Sequence, residues 1–220
     1  MDSLSDSFGF RVLMFASVFG SVILHEIAHG WVAERLGDPT ARMMGRITLN
    51  PMAHVDLFGT ILLPLILAVT RQPVLGWAKP VPVNAAYFRD PLRGMMWVGA
   101  AGPLTNFALA LAAAVLFRVL TVPLLLLPVM PFVFLAEILL GLLVVVAASN
   151  LYLGLFNLIP IPPLDGSRIL MGLLPREWLP AYLSLERYGI LIVFLLLYAG
   201  LLHRVLDPVV HTALLLLGFR

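Results

Sequence analysis

The chain has 220 residues, of which 61% are hydrophobic and only 12% are charged. Soluble globular domains carry about 25% charged residues, so this composition argues against a water-soluble domain and predicts an all-α multi-pass membrane protein. The net charge of +2 is too small to indicate nucleic-acid binding. The absence of cysteine excludes disulfides and thiolate metal ligands.

The chain begins with two acidic residues and no basic stretch, which is not typical of a cleavable signal peptide. A helix that crosses the bilayer needs about 20 apolar residues. Leu57 to Thr70 is short for this and predicts a tilted, re-entrant or partly buried segment. We expect roughly 4–6 membrane segments in a single membrane-embedded domain, residues 1–220. The predicted spans are Phe8–Leu36, Gly94–Phe117, Ile138–Leu164 with the residues before Glu137, and Tyr188–Leu202. We expect Pro208–Phe219 to form an amphipathic or half-spanning tail.

Two loops between the early segments carry structural signals. Gly76 to Asn84, GWAKPVPVN, alternates proline with valine and predicts an extended chain. Ala41 to Asn50, ARMMGRITLN, predicts a short strand or hairpin. Basic residues cluster in the loops that contain these stretches, Gly37 to Asp56 and Arg71 to Arg93, and in Arg168 to Arg187, which favours the cytoplasmic side. If both loops are cytoplasmic, Leu57 to Thr70 does not fully cross the membrane.

The sequence HEIAH lies within the first predicted span. His25 and His29 are one helical turn apart, about 40° around the axis, and can bind one metal ion, for which zinc is the best match. Glu26 lies beside them, where it can act as a general base on a metal-bound water. The alternative is a pair of hydrogen-bonded histidines with a salt-bridged glutamate. Ionisable groups cost about 2.5–3.5 kcal/mol at membrane depth, which disfavours that alternative.

A catalytic zinc site usually needs a third protein ligand. Asp165 is our choice, because it follows a proline-rich turn after the longest uncharged run. Non-helical backbone at membrane depth is tolerated where it lines a cavity. Asp165 can equally serve as the N-cap of a helix that begins near Gly166, and the sequence leaves both roles open. The other candidates are His54, Asp56, His203 and His211.

Asn150 and Asn157 lie seven residues apart on one face of an apolar helix. Asn157 is nearer to Asp165 and can contact a substrate or a transition state. The alternative for both residues is an interhelical hydrogen bond, which we favour for Asn150. Gly99, Gly102 and Pro103, in the WVGAAGPLTNF stretch of the earlier span Gly94–Phe117, predict close helix packing.

Taken together, HEIAHG, GRITLNPMAHVD, GWAKPVPVN, AGPLTNF and NLIPIPPLDG resemble the site-2 protease family of intramembrane zinc metalloproteases, in its minimal form without a PDZ or CBS domain. The resemblance implies one zinc ion held by His25, His29 and Asp165, with Glu26 as the catalytic base. It also implies that Asn157 contacts the substrate or transition state, and that Gly76 to Asn84 lies near the substrate path, where an unwound substrate can add as a strand.

The resemblance further implies a three-helix catalytic core, transmembrane protein substrates and regulated intramembrane proteolysis in a prokaryotic plasma membrane. Two other readings remain. A non-catalytic zinc-binding membrane protein would keep the ligands but would have no need of Glu26. A small-solute transporter would account for the proline-interrupted spans but not for HEIAH.

Overall fold

The computed structural model describes residues 8–70, 76–125 and 130–219. Within these ranges the backbone is helical and contains no β-strand, as the composition predicts. The N-terminal residues that bear on the signal-peptide prediction, 1–7, lie outside the described ranges.

Three helices in the described ranges are long and apolar enough to cross a membrane, or four if a bent pair near the C-terminus counts as one span. A count of four lies at the low end of the predicted 4–6 segments, and a count of three lies below it. The three pack against one another, and the second makes the most extensive contacts with the other two. The three are α1 (Phe8–Arg35), α4 (Pro91–Leu125) and α5 (Met130–Asn157).

Small side chains allow these helices to approach closely. Ala110 and Ala114 of α4 and Ala147 of α5 are almost fully buried. Because lipid is as apolar as leucine, membrane helices associate through close packing of small residues and through hydrogen bonds. The core is therefore built from alanine and a few polar groups.

The segment after residue 56 is a short π-helix, Leu57–Leu62, followed by α3 (Leu63–Val69). These 13 helical residues extend about 20 Å, less than the hydrocarbon thickness of about 30 Å. The Trp77 N–H donates to Gly59 O at 3.1 Å, and the Thr60 hydroxyl donates to Trp77 O at 2.8 Å. The chain has returned to the start of the segment by residue 77, which favours a re-entrant path.

The predicted strand at Ala41 to Asn50 is wrong. Residues Thr40–Met43 form a short helix, α2, and turns follow it. The cause is Asp38, whose Oδ1 accepts hydrogen bonds from the backbone N–H and the hydroxyl of Thr40. A side chain that bonds the backbone two residues later starts a helical turn rather than a strand. As predicted, residues 76–84 contain no helix, and Asn84 at the end of this stretch has an extended backbone.

The C-terminal part consists of short helices that pack around the core. The predicted span Tyr188–Leu202 is helical only to Tyr198, and a bend of 65° separates this helix from the residues before it. The last helix contacts α5 along its length, as expected for an amphipathic tail. These helices are α6 (Asp165–Leu173), α7 (Leu179–Leu183), α8 (Glu186–Tyr198) and α9 (Leu201–Leu217).

Candidate metal centre

Two histidines on the inner face of α1 form one side of the site. His25 and His29 are 7% and 4% exposed. Their Nε2 atoms lie 3.0 Å apart, and the two rings meet edge to face. The helical spacing has therefore brought two imidazole nitrogens to one point inside the core.

Asp165 closes the site from the opposite side. Its Oδ2 lies 3.0 Å from His25 Nε2 and 3.2 Å from His29 Nε2. Asp165 is the first residue of α6, and Leu164 occupies the N-cap position without a side-chain capping hydrogen bond. The N-cap role that the sequence left open for Asp165 is therefore wrong, and its carboxylate faces the imidazoles.

These three ligand atoms fit a zinc ion. Zinc bonds to nitrogen and carboxylate oxygen are about 2.0–2.2 Å long, so two ligand atoms of a tetrahedral site lie about 3.3 Å apart. The separations of 3.0–3.2 Å are close to this value. Two neutral imidazoles and one carboxylate also leave one position open, which is the arrangement of catalytic zinc sites.

Each imidazole is oriented through its second nitrogen. His29 Nδ1 lies 2.6 Å from Val98 O of α4, and His25 Nδ1 lies 2.6 Å from Asn106 Oδ1 of the same helix. Metal-binding histidines usually donate this second N–H to an oxygen acceptor. Both rings therefore direct Nε2 toward Asp165.

Gly102 forms the wall of the site on α4. A Cβ atom at this position would lie 2.5 Å from His25 Nε2 and 2.6 Å from His29 Nε2, far inside van der Waals contact. A Cβ at Gly99 would lie 2.9 Å from Asp165 O. The glycines that predicted close packing therefore make room for the ligands as well as for a neighbouring helix.

Glu26 is oriented by a different part of the chain. Its Oε2 accepts a hydrogen bond from the Val81 N–H at 2.9 Å. Val81 is buried and belongs to the extended segment Trp77–Asn84. A Cβ at Gly30 would lie only 3.0 Å from Val81 Cγ1, so the glycine permits this close approach to α1.

Side chains from the preceding loop hold the extended segment in place. Arg46 donates to Lys79 O at 2.6 Å, and Asp38 Oδ2 accepts from the Asn84 N–H at 2.6 Å. Burial alone would raise the pKa of Asp38, but hydrogen bonds from the Thr40 hydroxyl and from the Asn84 and Thr40 N–H groups outweigh burial and lower it. Asp38 is therefore a carboxylate at neutral pH, which strengthens its hydrogen bond with the Asn84 N–H of the extended segment.

Asn157 lies at the C-terminal end of α5 and is half-buried. Its amide nitrogen donates to Leu153 O of its own helix at 2.9 Å. Within the described residues, no hydrogen bond joins it to the histidines or to Asp165. Asn150 makes interhelical hydrogen bonds, as we expected: its Oδ1 accepts from Asn106, and its nitrogen donates to Ser21.

The other candidate ligands lie apart from this group. His54 is fully buried, and its Nε2 lies 2.9 Å from Thr48 O. The Asp56 carboxylate caps the π-helix by accepting from the Gly59 N–H. His203 and His211 are exposed on α9. In the described part of the chain, only His25, His29 and Asp165 form a cluster that can hold a metal ion.

Asn106, Gly102 and Val81 surround the site, and sequence reasoning did not assign these contacts to them. A signal for Asn106 was present, because it is a polar residue in the otherwise apolar span Gly94–Phe117. Val81 contacts Glu26 through its backbone N–H, so the type of its side chain does not predict that contact.

Comparison with known proteins identifies the family. The profile of Peptidase family M50 matches residues 13–133 and 129–200. YwhC of Bacillus subtilis, named as a candidate zinc metalloprotease, is 40% identical over 181 residues, which cover 81% of this chain and 76% of YwhC. Rip2 of Mycolicibacterium smegmatis, named in the same way, is 31% identical over 200 residues, covering 89% of this chain and 70% of Rip2.

A zinc metalloprotease of Methanocaldococcus jannaschii is 26% identical over 169 residues, which cover 77% of this chain and 36% of that protein. No solved structure matches the chain with significance. The family match covers most of the chain, and the relatives agree with the two imidazoles and one carboxylate that can hold zinc. The chain therefore belongs to peptidase family M50, the site-2 protease family, and is a zinc metalloprotease with apolar helices suited to a membrane.

Proposed function

We propose that the protein is an intramembrane endopeptidase that hydrolyses peptide bonds in or near the transmembrane segments of other membrane proteins. The observation that supports this most directly is the position of the three-ligand cluster. The cluster lies between α1, α4 and α6. Both α1 and α4 are long and apolar enough to span a membrane. In this proposal both helices cross the bilayer, and the cluster between them can reach a bond that lies within it.

In this proposal His25, His29 and Asp165 hold one zinc ion. Zinc, when bound, supplies a Lewis acid that polarises a water molecule and the carbonyl of the scissile bond. Glu26 takes a proton from the attacking water and delivers it to the leaving amine. Its hydrogen bond from the Val81 N–H fixes the carboxylate beside the ligands without occupying its second oxygen.

The extended segment Trp77–Asn84 gives the substrate a place to bind as a strand. Residues of an extended chain alternate between two edges. Trp77, Lys79 and Val81 direct backbone groups toward the protein, where they are hydrogen-bonded. On the other edge Ala78 N–H, Ala78 O and Pro82 O have no partner among the described residues. An unwound substrate can pair with these groups by strand addition.

Asn157 completes the proposed site as a contact to the substrate or transition state. One of its amide N–H groups bonds Leu153 O. Its second N–H and its oxygen have no partner within the described ranges, so they remain available to a substrate backbone. The whole chain, residues 1–220, acts in this proposal as one multi-pass domain in the plasma membrane of a prokaryotic cell.

The experiment compares wild type with Glu26→Gln in liposomes that contain a panel of single-span substrates. Cleavage fragments are mapped by mass spectrometry, and bound zinc is measured in the same samples. Glu34→Gln is the matched control, because Glu34 lies on the same helix but pairs with Arg42 at the protein surface. Surface ion pairs contribute about 0–1 kcal/mol, so this control is expected to retain activity.

We expect chelator-sensitive cleavage within the span by wild type and by Glu34→Gln. Glu26→Gln is expected to keep its zinc and to lose cleavage. Stoichiometric zinc in all three proteins with no cleavage of any substrate would instead support a non-catalytic zinc-binding protein.

A second comparison tests the intramembrane substrate. A substrate helix must unwind before its backbone reaches the site, and unsatisfied backbone groups cost several kcal/mol each in hydrocarbon. Spans with glycine or proline near the cleavage site are therefore expected to be cut faster than a poly-leucine span of equal length. Equal rates for both spans would contradict the proposal.

A further inference from the structure

A chain of buried hydrogen bonds runs away from His25 across three helices. His25 Nδ1 lies 2.6 Å from Asn106 Oδ1, and Asn106 Nδ2 donates to Asn150 Oδ1 at 2.8 Å. Asn150 Nδ2 donates to Ser21 Oγ and to Val146 O, each at 2.8 Å. Asn106 and Asn150 are both fully buried. The chain thus joins α4 and α5 to α1 and ends at Ser21, one turn before His25 on the same helix.

The hydrogen bond from Asn150 to Val146 O determines how the amide groups of Asn150 and Asn106 are oriented. Val146 O is a backbone carbonyl and can only accept hydrogen bonds. Asn150 must therefore direct its amide nitrogen toward Val146, which leaves its oxygen for Asn106. Asn106 must then present its own nitrogen to that oxygen. The reverse orientation would bring two oxygens together at 2.8 Å inside the core, where an unmade hydrogen bond costs about 1–3 kcal/mol.

The direction of the chain determines which atom meets His25. Once its nitrogen is committed to Asn150, Asn106 can offer only Oδ1 to the imidazole, and Oδ1 can only accept. The proton of His25 must then lie on Nδ1, and the lone pair on Nε2 is free for a metal ion. His29 needs no such chain, because its Nδ1 meets Val98 O, a backbone acceptor, directly.

We propose that Asn150 is a positioning residue for zinc binding: anchored by Val146 O, it holds the Asn106 amide in the one orientation that leaves His25 Nε2 free for the metal. The proposal rests on the proposed role of His25 as a ligand, and it concerns metal affinity rather than proteolysis. A purely structural alternative is that Asn150 only ties α5 to α1 through Ser21.

Two variants separate these roles. Asn150→Leu removes the anchor, so the Asn106 amide is free to turn its nitrogen toward His25. Ser21→Ala removes the hydrogen bond between α5 and α1 but leaves Val146 O to orient Asn150. Ser17→Ala is the matched control on α1, because the Ser17 hydroxyl bonds only Leu13 O of its own helix.

The measurement is the zinc dissociation constant of the purified full chain in detergent, obtained by competition with a chromophoric chelator. Residues that orient metal ligands typically change metal affinity by about 10–100-fold. We expect Asn150→Leu to weaken zinc binding by about tenfold or more. Ser21→Ala and Ser17→Ala are expected to bind zinc like wild type. Thermal unfolding of the metal-free proteins is recorded in parallel, so that loss of folding is recognised separately.

A rescue variant keeps the test decisive if Asn150→Leu is poorly folded. A carboxylate accepts hydrogen bonds through either oxygen, so Asn106→Asp orients His25 without help from Asn150. The double variant Asn106→Asp/Asn150→Leu is expected to bind zinc about tenfold or more tightly than Asn150→Leu alone.

The ¹⁵N and ¹H resonances of the His25 Nδ1–H group in the zinc-loaded proteins give a readout without activity. This proton is expected to show a strong hydrogen bond in wild type, in Ser21→Ala and in the double variant, and a weakened one in Asn150→Leu. Equal zinc affinity and an unchanged Nδ1–H signal in Asn150→Leu would overturn the proposal. Equal losses in Ser21→Ala and Asn150→Leu would also overturn it, in favour of the structural tie.

Discussion

The two histidine ligands and Glu26 share one turn of α1, yet different regions of the molecule orient them. The histidines meet Val98 O and Asn106 on α4, and both of these residues are fully buried. Glu26 meets the Val81 N–H in an extended segment held by loop side chains. Side chains held by packed helices are positioned more precisely than those held by loops. Because different regions orient the histidines and Glu26, we expect that substitutions can disturb metal binding and proton transfer separately.

The largest effect is expected from Asp165→Ala, which removes the ligand opposite the histidines. With two imidazoles left, the site lacks the third protein ligand of a catalytic zinc centre. The variant is expected to lose stoichiometric zinc, measured by elemental analysis after dialysis against a weak chelator. Asp90→Ala is the control, because Asp90 is exposed. Zinc retained equally by both variants would place the metal elsewhere.

Gly102→Ala tests the helix wall itself. Its methyl group would overlap both ring nitrogens, which forces the rings to move, and overpacking costs about 1–3 kcal/mol. We expect weaker zinc binding by titration and a lower unfolding temperature. Gly20→Ala is the matched control in α1, because nothing lies within 4 Å of a Cβ placed there. That variant is expected to be neutral or stabilised by up to about 1 kcal/mol. Similar behaviour of the two variants would contradict the steric argument.

Val81→Pro removes the N–H that orients Glu26 while keeping an extended backbone between two prolines. Hydrogen bonds to charged groups contribute about 1.5–3 kcal/mol, so we expect turnover to fall about 10- to 100-fold with zinc affinity unchanged. Steady-state cleavage and zinc titration measure the two quantities. Val83→Pro is the control, since the Val83 N–H has no partner among the described residues. A parallel loss of zinc would show that the two regions are not separable.

The smallest effect is expected from Asp38→Asn, which weakens the attachment of Asn84. Folding lowers the pKa of Asp38. Its carboxylate therefore stabilises the folded segment fully at pH values above the ordinary aspartate pKa of about 4, and this stabilisation is lost as the pH falls through the lower pKa of the folded state. We expect wild type to exceed the variant in local stability by about 1–3 kcal/mol at pH 5–8. Hydrogen exchange of residues 77–84 measures this. A difference that persists unchanged below pH 4 would contradict it.

The sequence alone determined the class of protein and the ligand candidates. Low charge and long apolar runs require helices in lipid, because backbone groups there must be hydrogen-bonded within the segment. The spacing of His25 and His29 places two ligands on one helix face whatever surrounds them. These conclusions depend only on local chemistry and helix periodicity, so no tertiary information was needed.

Only the tertiary structure decided the rest. The sequence left Asp165 between ligand and cap, and the packing of α6 against α4 placed its carboxylate 3.0 Å from His25. It predicted a strand at Ala41 to Asn50, where hydrogen bonds to Asp38 start a helical turn instead. The contacts of Asn106 and Val81 join residues 81 and 55 positions apart in the chain. Such contacts follow from how helices and loops pack, and sequence periodicity does not encode them.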